Sequence, residues 1–342
     1  MSSKQSPIRS VPTNIITGFL GVGKTSAILN LMRHKPVDER WAVLVNEFGE
    51  IGVDGSIIQG QYNEEKKVFI REVPGGCMCC AAGLPMQIAL AQLLSEAKPD
   101  RLLIEPTGLG HPKEVLQVLL STHYREVLSL QKTLTLVDAR KLSDSRYTRH
   151  DTFNQQISIA DTVVGNKVDL YQDSDKKKLI DYVKQHGQPS THVLFSQHGE
   201  IAWEEFVGET VFGSFRSHQQ DNQHKHEHQH SHSHARPLVS DTPIPESGFI
   251  KAKNQGEGFQ SIGWRFSPSK VFSRQKLASL LVGLRVERMK AVFITDLGVF
   301  AYNLTGDDLT EVELDDCLES RIEMISDQMN DSLEDQLLAC VL

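Results

Sequence analysis

Eight consecutive residues, Gly18-Phe19-Leu20-Gly21-Val22-Gly23-Lys24-Thr25, have the types and spacing for phosphate chemistry. They match the pattern G-x-x-x-x-G-K-[ST], and they lie between the apolar pair Ile15-Ile16 and a helix-forming run that opens Ser26-Ala27-Ile28-Leu29. Glycines let such a loop wrap its backbone N–H groups around phosphate oxygens, an approach that a Cβ would obstruct. Lys24 would reach the β- and γ-phosphates, Thr25 would offer a hydroxyl to Mg²⁺, and the helix N-terminus would add its positive dipole. The predicted nucleotide contacts are therefore Gly18, Leu20, Gly21, Val22, Gly23, Lys24, Thr25 and Ser26.

The base is specified further along. Asn166-Lys167-Val168-Asp169 follows an apolar run and matches the guanine-specifying N-K-x-D pattern. A carboxylate at Asp169 can accept from both N1–H and the 2-amino group of guanine, and adenine lacks that donor pair, so the expected nucleotide is GTP. Ser196, after the next apolar run, is a further candidate for a base contact. Glu105 ends Leu102-Leu103-Ile104 and opens Glu105-Pro106-Thr107-Gly108, which makes it the preferred Mg²⁺ carboxylate, with Asp138 as the rival. Gly108 would place a backbone N–H near the γ-phosphate. The acidic stretch from Val45 through Glu47 to Asp54 stands where a nucleotide-sensing switch would lie, and an ordinary solvated loop is the competing reading.

A second cluster suits soft metals. Gly75-Gly76-Cys77-Met78-Cys79-Cys80 holds three of the five cysteines, and thiolates are ligands for Zn²⁺ and similar ions. Cys77 and Cys80 also have the C-x-x-C spacing of a redox pair, and small buried thiols would look the same. A fourth ligand would come from Glu47, His111 or water. From about Ser217 to Glu246 the chain is polar, and it carries His224, His226, His228, His230, His232 and His234 in alternation, which suits either weak metal binding or a soluble spacer.

These residues need a frame to hold them. From Val11 to Phe195 short apolar runs alternate with helical patterns: Asn14–Thr17, Trp41–Asn46, Val68–Val73, Arg101–Glu105, Thr133–Asp138, Thr162–Asn166 and His192–Phe195 as strands, with helices at Lys24–Met32, Leu84–Ala97, Pro112–Leu120 and Lys176–Gln185. That alternation predicts an α/β fold with a mainly parallel, Rossmann-like sheet covered on both faces, and ligand chemistry beyond its strand C-termini. The polar tract reads as a disordered linker. After it a small α+β unit is expected, with strands at Gly258–Phe266 and Ala291–Leu304 and helices at Lys270–Leu284 and Cys317–Met329. The expected division is residues 1–212, linker 213–248 and 249–342.

At 342 residues, 39% hydrophobic and 23% charged, the composition is that of a soluble globular protein able to bury two cores. With 36 basic against 44 acidic residues the net charge is −8, which offers no broad basic footprint for nucleic acid or anionic membrane. The polar N-terminus and the cysteine pattern point to the cytoplasm rather than to a disulfide framework.

Taken together, the motifs resemble the CobW-like family of P-loop GTPases, relatives of the urease and hydrogenase nickel-insertion GTPases. Gly18–Thr25 looks like its Walker A loop, Asn46-Glu47-Phe48-Gly49-Glu50 its following strand-loop, Gly76–Cys80 its C-x-C-C metal motif, Glu105–Gly108 its E-x-x-G element and Asn166–Asp169 its guanine motif. Two departures are Gly110-His111 before Pro112 and Ala291 after Lys290. The resemblance implies a GTP-hydrolysing metallochaperone with Mg²⁺ at Thr25 and Glu105, and Zn²⁺, Co²⁺ or Ni²⁺ held by Cys77, Cys79 and Cys80, with Glu47 and Asp54 as further acidic candidates. It also implies a target metalloprotein as partner, and a monomer or a nucleotide- or metal-dependent homodimer. No arginine finger or water-positioning glutamine is identifiable, so slow intrinsic turnover is expected. The rival readings are a nucleotide-dependent scaffold that hands on a cofactor such as cobalamin, and a thiol redox regulator.

Overall fold

The computed structural model describes residues 10–46, 53–59, 66–73, 84–214, 242–256, 259–306, 308–326 and 332–342. Among the described residues the first sheet has eight strands: β1 (Val11–Gly18), β2 (Trp41–Val45), β3 (Val68–Glu72), β4 (Arg101–Glu105), β5 (Leu128–Leu130), β6 (Leu134–Val137), β7 (Thr162–Gly165) and β8 (His192–Phe195). Every pairing among them is parallel, in the order β3-β2-β4-β1-β6-β7-β8, with β5 added beside β1. The helices include α1 (Lys24–Arg33), α2 (Val53–Gln59), α3 (Leu84–Ala97) and α4 (Pro112–Leu119).

Both faces of this sheet are buried, which is why its strands read as unbroken apolar runs. Leu102 and Ile104 of β4 pack with Met86, Leu90 and Leu93 of α3 and Val115 of α4. Leu103, between them, faces the opposite side, where Ile16, Val43 and Val45 meet Ala27, Ile28 and Leu31 of α1. Strand order reverses around β1: the chain leaves it for β2 on one side and later returns to β6 on the other. Such a switch opens a crevice beyond the strand C-termini.

The second sheet has, among the described residues, six antiparallel strands: β9 (Phe249–Gly256), β10 (Phe259–Phe266), β11 (Arg288–Thr295), β12 (Gly298–Thr305), β13 (Asp308–Leu314) and β14 (Ser320–Ser326), ordered β13-β12-β11-β14-β10-β9. One face carries Trp264, Met289, Phe293, Ile322 and Met324 against Leu277, Leu281, Leu333 and Leu337 of the helices Arg274–Val282 and Leu333–Leu338. The other face carries Val292, Ala301 and Leu314 against Val53 and Ile57 of α2.

Two expectations fail. The strand expected over Ala291–Leu304 is a hairpin of β11 and β12 that turns at Asp296-Leu297. In place of the helix expected over Cys317–Met329, residues Ser320–Ser326 form strand β14, and 327–329 lie outside the described residues. Leu318, Ile322 and Ile325 have helical spacing, but the period that decides is two: Ile322 and Met324 enter the second core while Ile325 enters a cluster of the first unit. Strands β5, β9 and β13 were not anticipated either, because each is short or rich in polar residues. No described helix is long and apolar enough to cross a membrane.

Candidate functional site

The loop after β1 leads into α1 through Gly23, whose left-handed backbone (φ 94°, ψ 29°) suits glycine. A Cβ there would also come 2.5 Å from Asn166 Nδ2. The N-cap residue, Gly23, has no side chain to cap α1, and no acidic residue occupies the first turn, so the N-terminal N–H groups suit an anion. Lys24 Nζ donates to the carbonyls of Gly18 (3.0 Å) and Phe19 (3.2 Å), and so arches back over the loop. Gly108 packs against the same loop: a Cβ on it would lie 3.1 Å from Leu20 N and from the Phe19 carbonyl carbon.

Thr25 and Glu105, far apart in sequence, meet here. Thr25 Oγ1 donates to Glu105 Oε1 and Oε2 at 3.2 and 3.4 Å, and the Glu105 side chain is almost fully buried. Asp138 is engaged elsewhere. Its carboxylate accepts from Arg140 Nη2 (2.6 Å), Nε (2.9 Å) and backbone N (3.1 Å), and that bond raises the Arg140 guanidinium above its ordinary value. Buried Asn46, bonded through its N–H to the Glu105 carbonyl, has an amide side chain without a hydrogen-bond partner among the described residues. A hydroxyl beside a buried carboxylate and an unengaged buried amide form an all-oxygen-capable donor set, and hard Mg²⁺ fits such a set.

The guanine motif is tied to this loop by Asn166. Its Nδ2 donates to the Val22 carbonyl (2.8 Å) and its Oδ1 accepts from Gly199 N–H (3.1 Å). Lys167 is left-handed (φ 64°) and turns the chain so that Asp169 stands exposed. The Ser196 carbonyl accepts from Val168 N–H, while the Ser196 hydroxyl donates to the carbonyls of Gln197 and Glu200. Ser196 therefore borders the motif with its hydroxyl facing its own turn.

Not all of the expected residues are in view. Glu47, Cys77, Cys79, Cys80 and the histidine tract lie outside the described residues, and Asp54 is described only as a position in α2. Among the described residues no group of three or more His, Cys, Asp or Glu could hold a metal ion. His111 begins α4 as its N-cap residue. Of the remaining cysteines, burial pushes the half-buried Cys317 thiol up to about 11, and buried Cys340 donates to the Gln336 carbonyl.

Residues of the second sheet also reach the loop, and sequence reasoning did not assign them. A cleft open to solvent is lined by Gly21, Lys24, Thr25 and Glu105 on one side and Arg288, Lys290 and Asn303 on the other. Lys290 Nζ donates to Thr25 Oγ1 at 2.7 Å. Thr305 lies against Gly21, where a Cβ would meet its methyl at 2.5 Å. Alternation along β11 was the available signal: Arg288, Lys290 and Val292 share a face that excludes Met289 and Phe293.

A phosphate loop at a parallel sheet's switch point, with a Thr–carboxylate pair and a braced N-K-x-D turn, defines a P-loop nucleotide-binding protein. Residues 12–194, more than half of the chain, match the family model CobW/HypB/UreG, nucleotide-binding domain. The chain belongs to the CobW/HypB/UreG family, the one its motifs resemble. It is 37% identical over 323 residues to the zinc chaperone YeiR of Escherichia coli (strain K12), covering 92% of each chain. Over 168 residues it is 31% identical to the zinc-regulated GTPase metalloprotein activator 1 of Schizosaccharomyces pombe (strain 972 / ATCC 24843), covering 48% of this chain and 41% of that one. A solved Zn(II)-bound YjiA GTPase from E. coli aligns over 96% of this chain and 98% of its own, with 17% identity and a TM-score of 0.44.

Proposed function

We propose that this protein is a GTP-hydrolysing metallochaperone that couples the state of its nucleotide to the hold on a transition metal and its delivery to a target protein. The observation that carries the GTPase part is the Thr25–Glu105 pair beneath the phosphate loop, with Asn166 bracing the base turn to Val22. In this reading the loop N–H groups, Lys24 and the α1 N-terminus bind the phosphates, Gly108 contributes its N–H, and Asp169 selects guanine, with Ser196 bordering the base. Mg²⁺, held by Thr25 and Glu105, would neutralise phosphate charge. The cargo is Zn²⁺, in keeping with the names of the relatives, with Co²⁺ and Ni²⁺ as chemical alternatives at Cys77, Cys79 and Cys80; Glu47 and Asp54 are the acidic candidates beside them.

Hydrolysis sits within residues 1–212, and 249–342 form a second unit beyond the histidine-rich 213–248. The proposed site is cytoplasmic, where thiolates stay reduced. Metal affinity that differs tenfold between GTP and GDP states needs a coupling of only about 1.4 kcal/mol. The test is competitive Zn²⁺ titration of the full chain with GDP and with a non-hydrolysable GTP analogue, alongside GTP turnover and a Cys77→Ser/Cys79→Ser/Cys80→Ser variant. Equal Zn²⁺ affinity in both nucleotide states, or unchanged affinity in the triple variant, would overturn the coupling. Absence of GTP turnover that depends on Thr25 would overturn the hydrolase reading.

A further inference from the structure

We infer that Lys290, on strand β11 of the second sheet, is a phosphate-binding residue of the nucleotide site, supplied in cis to the γ-phosphate of GTP. The inference rests on the GTPase reading above and names a residue that no motif in the first 200 positions contains.

Three observations carry it. First, the Lys290 ammonium already sits in the site, 2.7 Å from the Thr25 hydroxyl oxygen at the mouth of the phosphate loop. Secondly, its placement is built rather than incidental. Strand alternation turns Arg288 and Lys290 to the loop while Met289, Ala291 and Phe293 anchor the strand in the second core, all fully buried or nearly so. The ammonium is thus carried on a rigid strand, paired on both sides by β12 and β14. Thirdly, the wall around it is polar and incompletely engaged. Buried Asn303 Oδ1 and Thr305 Oγ1, opposite and beyond Lys290 on β12, have no hydrogen-bond partner among the described residues, and Thr305 lies against Gly21 of the loop. A polar wall that closes on a phosphate loop is arranged for a ligand that brings its own charge.

The chemistry then selects the phosphate. A divalent cation on Thr25 Oγ1 and an ammonium 2.7 Å from that same oxygen repel each other, so binding of Mg²⁺ and GTP obliges Lys290 to give up Thr25. The strongest acceptors entering that cleft are the oxygens of the terminal phosphate. In hydrolysis a water oxygen bonds to the γ-phosphorus and the bond from that phosphorus to the β–γ bridging oxygen breaks. Its electron pair stays on GDP, and both water protons end on inorganic phosphate. Negative charge grows on the bridging and terminal oxygens along the way, and a cation fixed beside them lowers that barrier, as a finger residue in cis does. A terminal phosphate contact also distinguishes GTP from GDP, so the second sheet would respond directly to nucleotide state.

The test uses the full chain with Lys290→Met, which keeps the apolar stem, Lys290→Gln as a second uncharged variant, and Lys290→Arg, which keeps a cation. Affinities for a non-hydrolysable GTP analogue and for GDP are measured with Mg²⁺, together with single-turnover GTP hydrolysis. Both uncharged variants should lose about tenfold or more in analogue affinity and in hydrolysis rate, with GDP affinity within about twofold of wild type, and Lys290→Arg should recover most of the loss. Analogue affinity within twofold of wild type in both uncharged variants, or an equal loss for analogue and GDP, overturns the assignment. Those affinities are read without turnover, so a wild-type protein that failed to hydrolyse GTP would refute the hydrolase reading while the phosphate contact was still judged on binding.

Discussion

Replacing Asn166 with Ala should destabilise the protein far more than a residue in a base-recognition motif ordinarily would. Its side chain is 1% exposed and joins the end of β7 to two other segments, through Val22 O at 2.8 Å and Gly199 N–H at 3.1 Å. Truncation removes both bonds and leaves a carbonyl and an N–H behind, and each orphaned buried group costs about 1–3 kcal/mol. Because the adjoining turns are partly exposed, water can enter and compensate, which places the total at about 2–4 kcal/mol. For a unit of this size that corresponds to a fall of about 5–15 °C in melting temperature. Scanning calorimetry of nucleotide-free wild type and Asn166→Ala reads it directly, without dependence on guanine contacts. A fall of less than about 1 °C would mean that Asn166 does not brace the loop, and the tie between base motif and phosphate loop would have to be abandoned.

Three other outcomes follow from the same geometry. Asp169→Asn replaces an acceptor pair by an amide that can donate to the 2-oxo group of xanthine, so competition with a fluorescent nucleotide should show GDP affinity down about tenfold or more and xanthosine diphosphate gaining; a retained guanine preference would remove Asp169 from the base site. Glu319→Gln takes the charge from a nearly buried carboxylate shared by Arg265 (2.9 Å) and Arg321 (2.9 Å), and chemical denaturation should show a loss of about 1–3 kcal/mol in the second sheet. Burial raises the Cys317 thiol to about 11, so its proton is retained on folding and the associated stability is lost as pH climbs from about 9 through 11; alkylation mapped by mass spectrometry should keep accelerating to that pH, and a plateau near 9 would contradict the burial.

The frame of the site was legible because two-sided burial writes itself as apolar runs. Arg101–Glu105 and His192–Phe195 coincide with their predicted strands, and Leu84–Ala97 with its helix, since nothing at their ends competes with the pattern. The meeting of Thr25 with Glu105 was legible for a related reason: Thr25 follows β1 across the loop and Glu105 ends β4, its neighbour at the switch point. The second unit was harder to read. In β14, Arg321 and Glu323 alternate with Ile322 and Met324 on a strand whose outer face is covered by the first unit, so polar residues sit where a sheet usually meets solvent. A local pattern cannot report which face another unit will cover, and the helical spacing of Leu318, Ile322 and Ile325 then prevailed. Lys290 was missed on the same account: its role is set by the Thr25 hydroxyl, 265 residues away, rather than by its neighbours.

The Thr25 hydroxyl explains why that outer face stays polar. A hydroxyl has one proton and two lone pairs. Here the proton goes to Glu105 and one lone pair receives Lys290, so a single oxygen is joined to a strand end of the first sheet and to the middle of a strand in the second. A metal that joins that oxygen must contend with the ammonium alongside. The second sheet is also seated on α2 through Val292, Ala301 and Leu314 against Val53 and Ile57, and α2 follows the acidic stretch after β2. A change at Thr25 and a change in that stretch therefore act on the same sheet face. A face made only of aliphatic residues would dock as firmly but would be indifferent to charge in the cleft. If Lys290 takes the terminal phosphate as proposed, then Arg288, Lys290, Asn303 and Thr305, interleaved with that apolar seat, would make docking depend on which nucleotide the cleft holds.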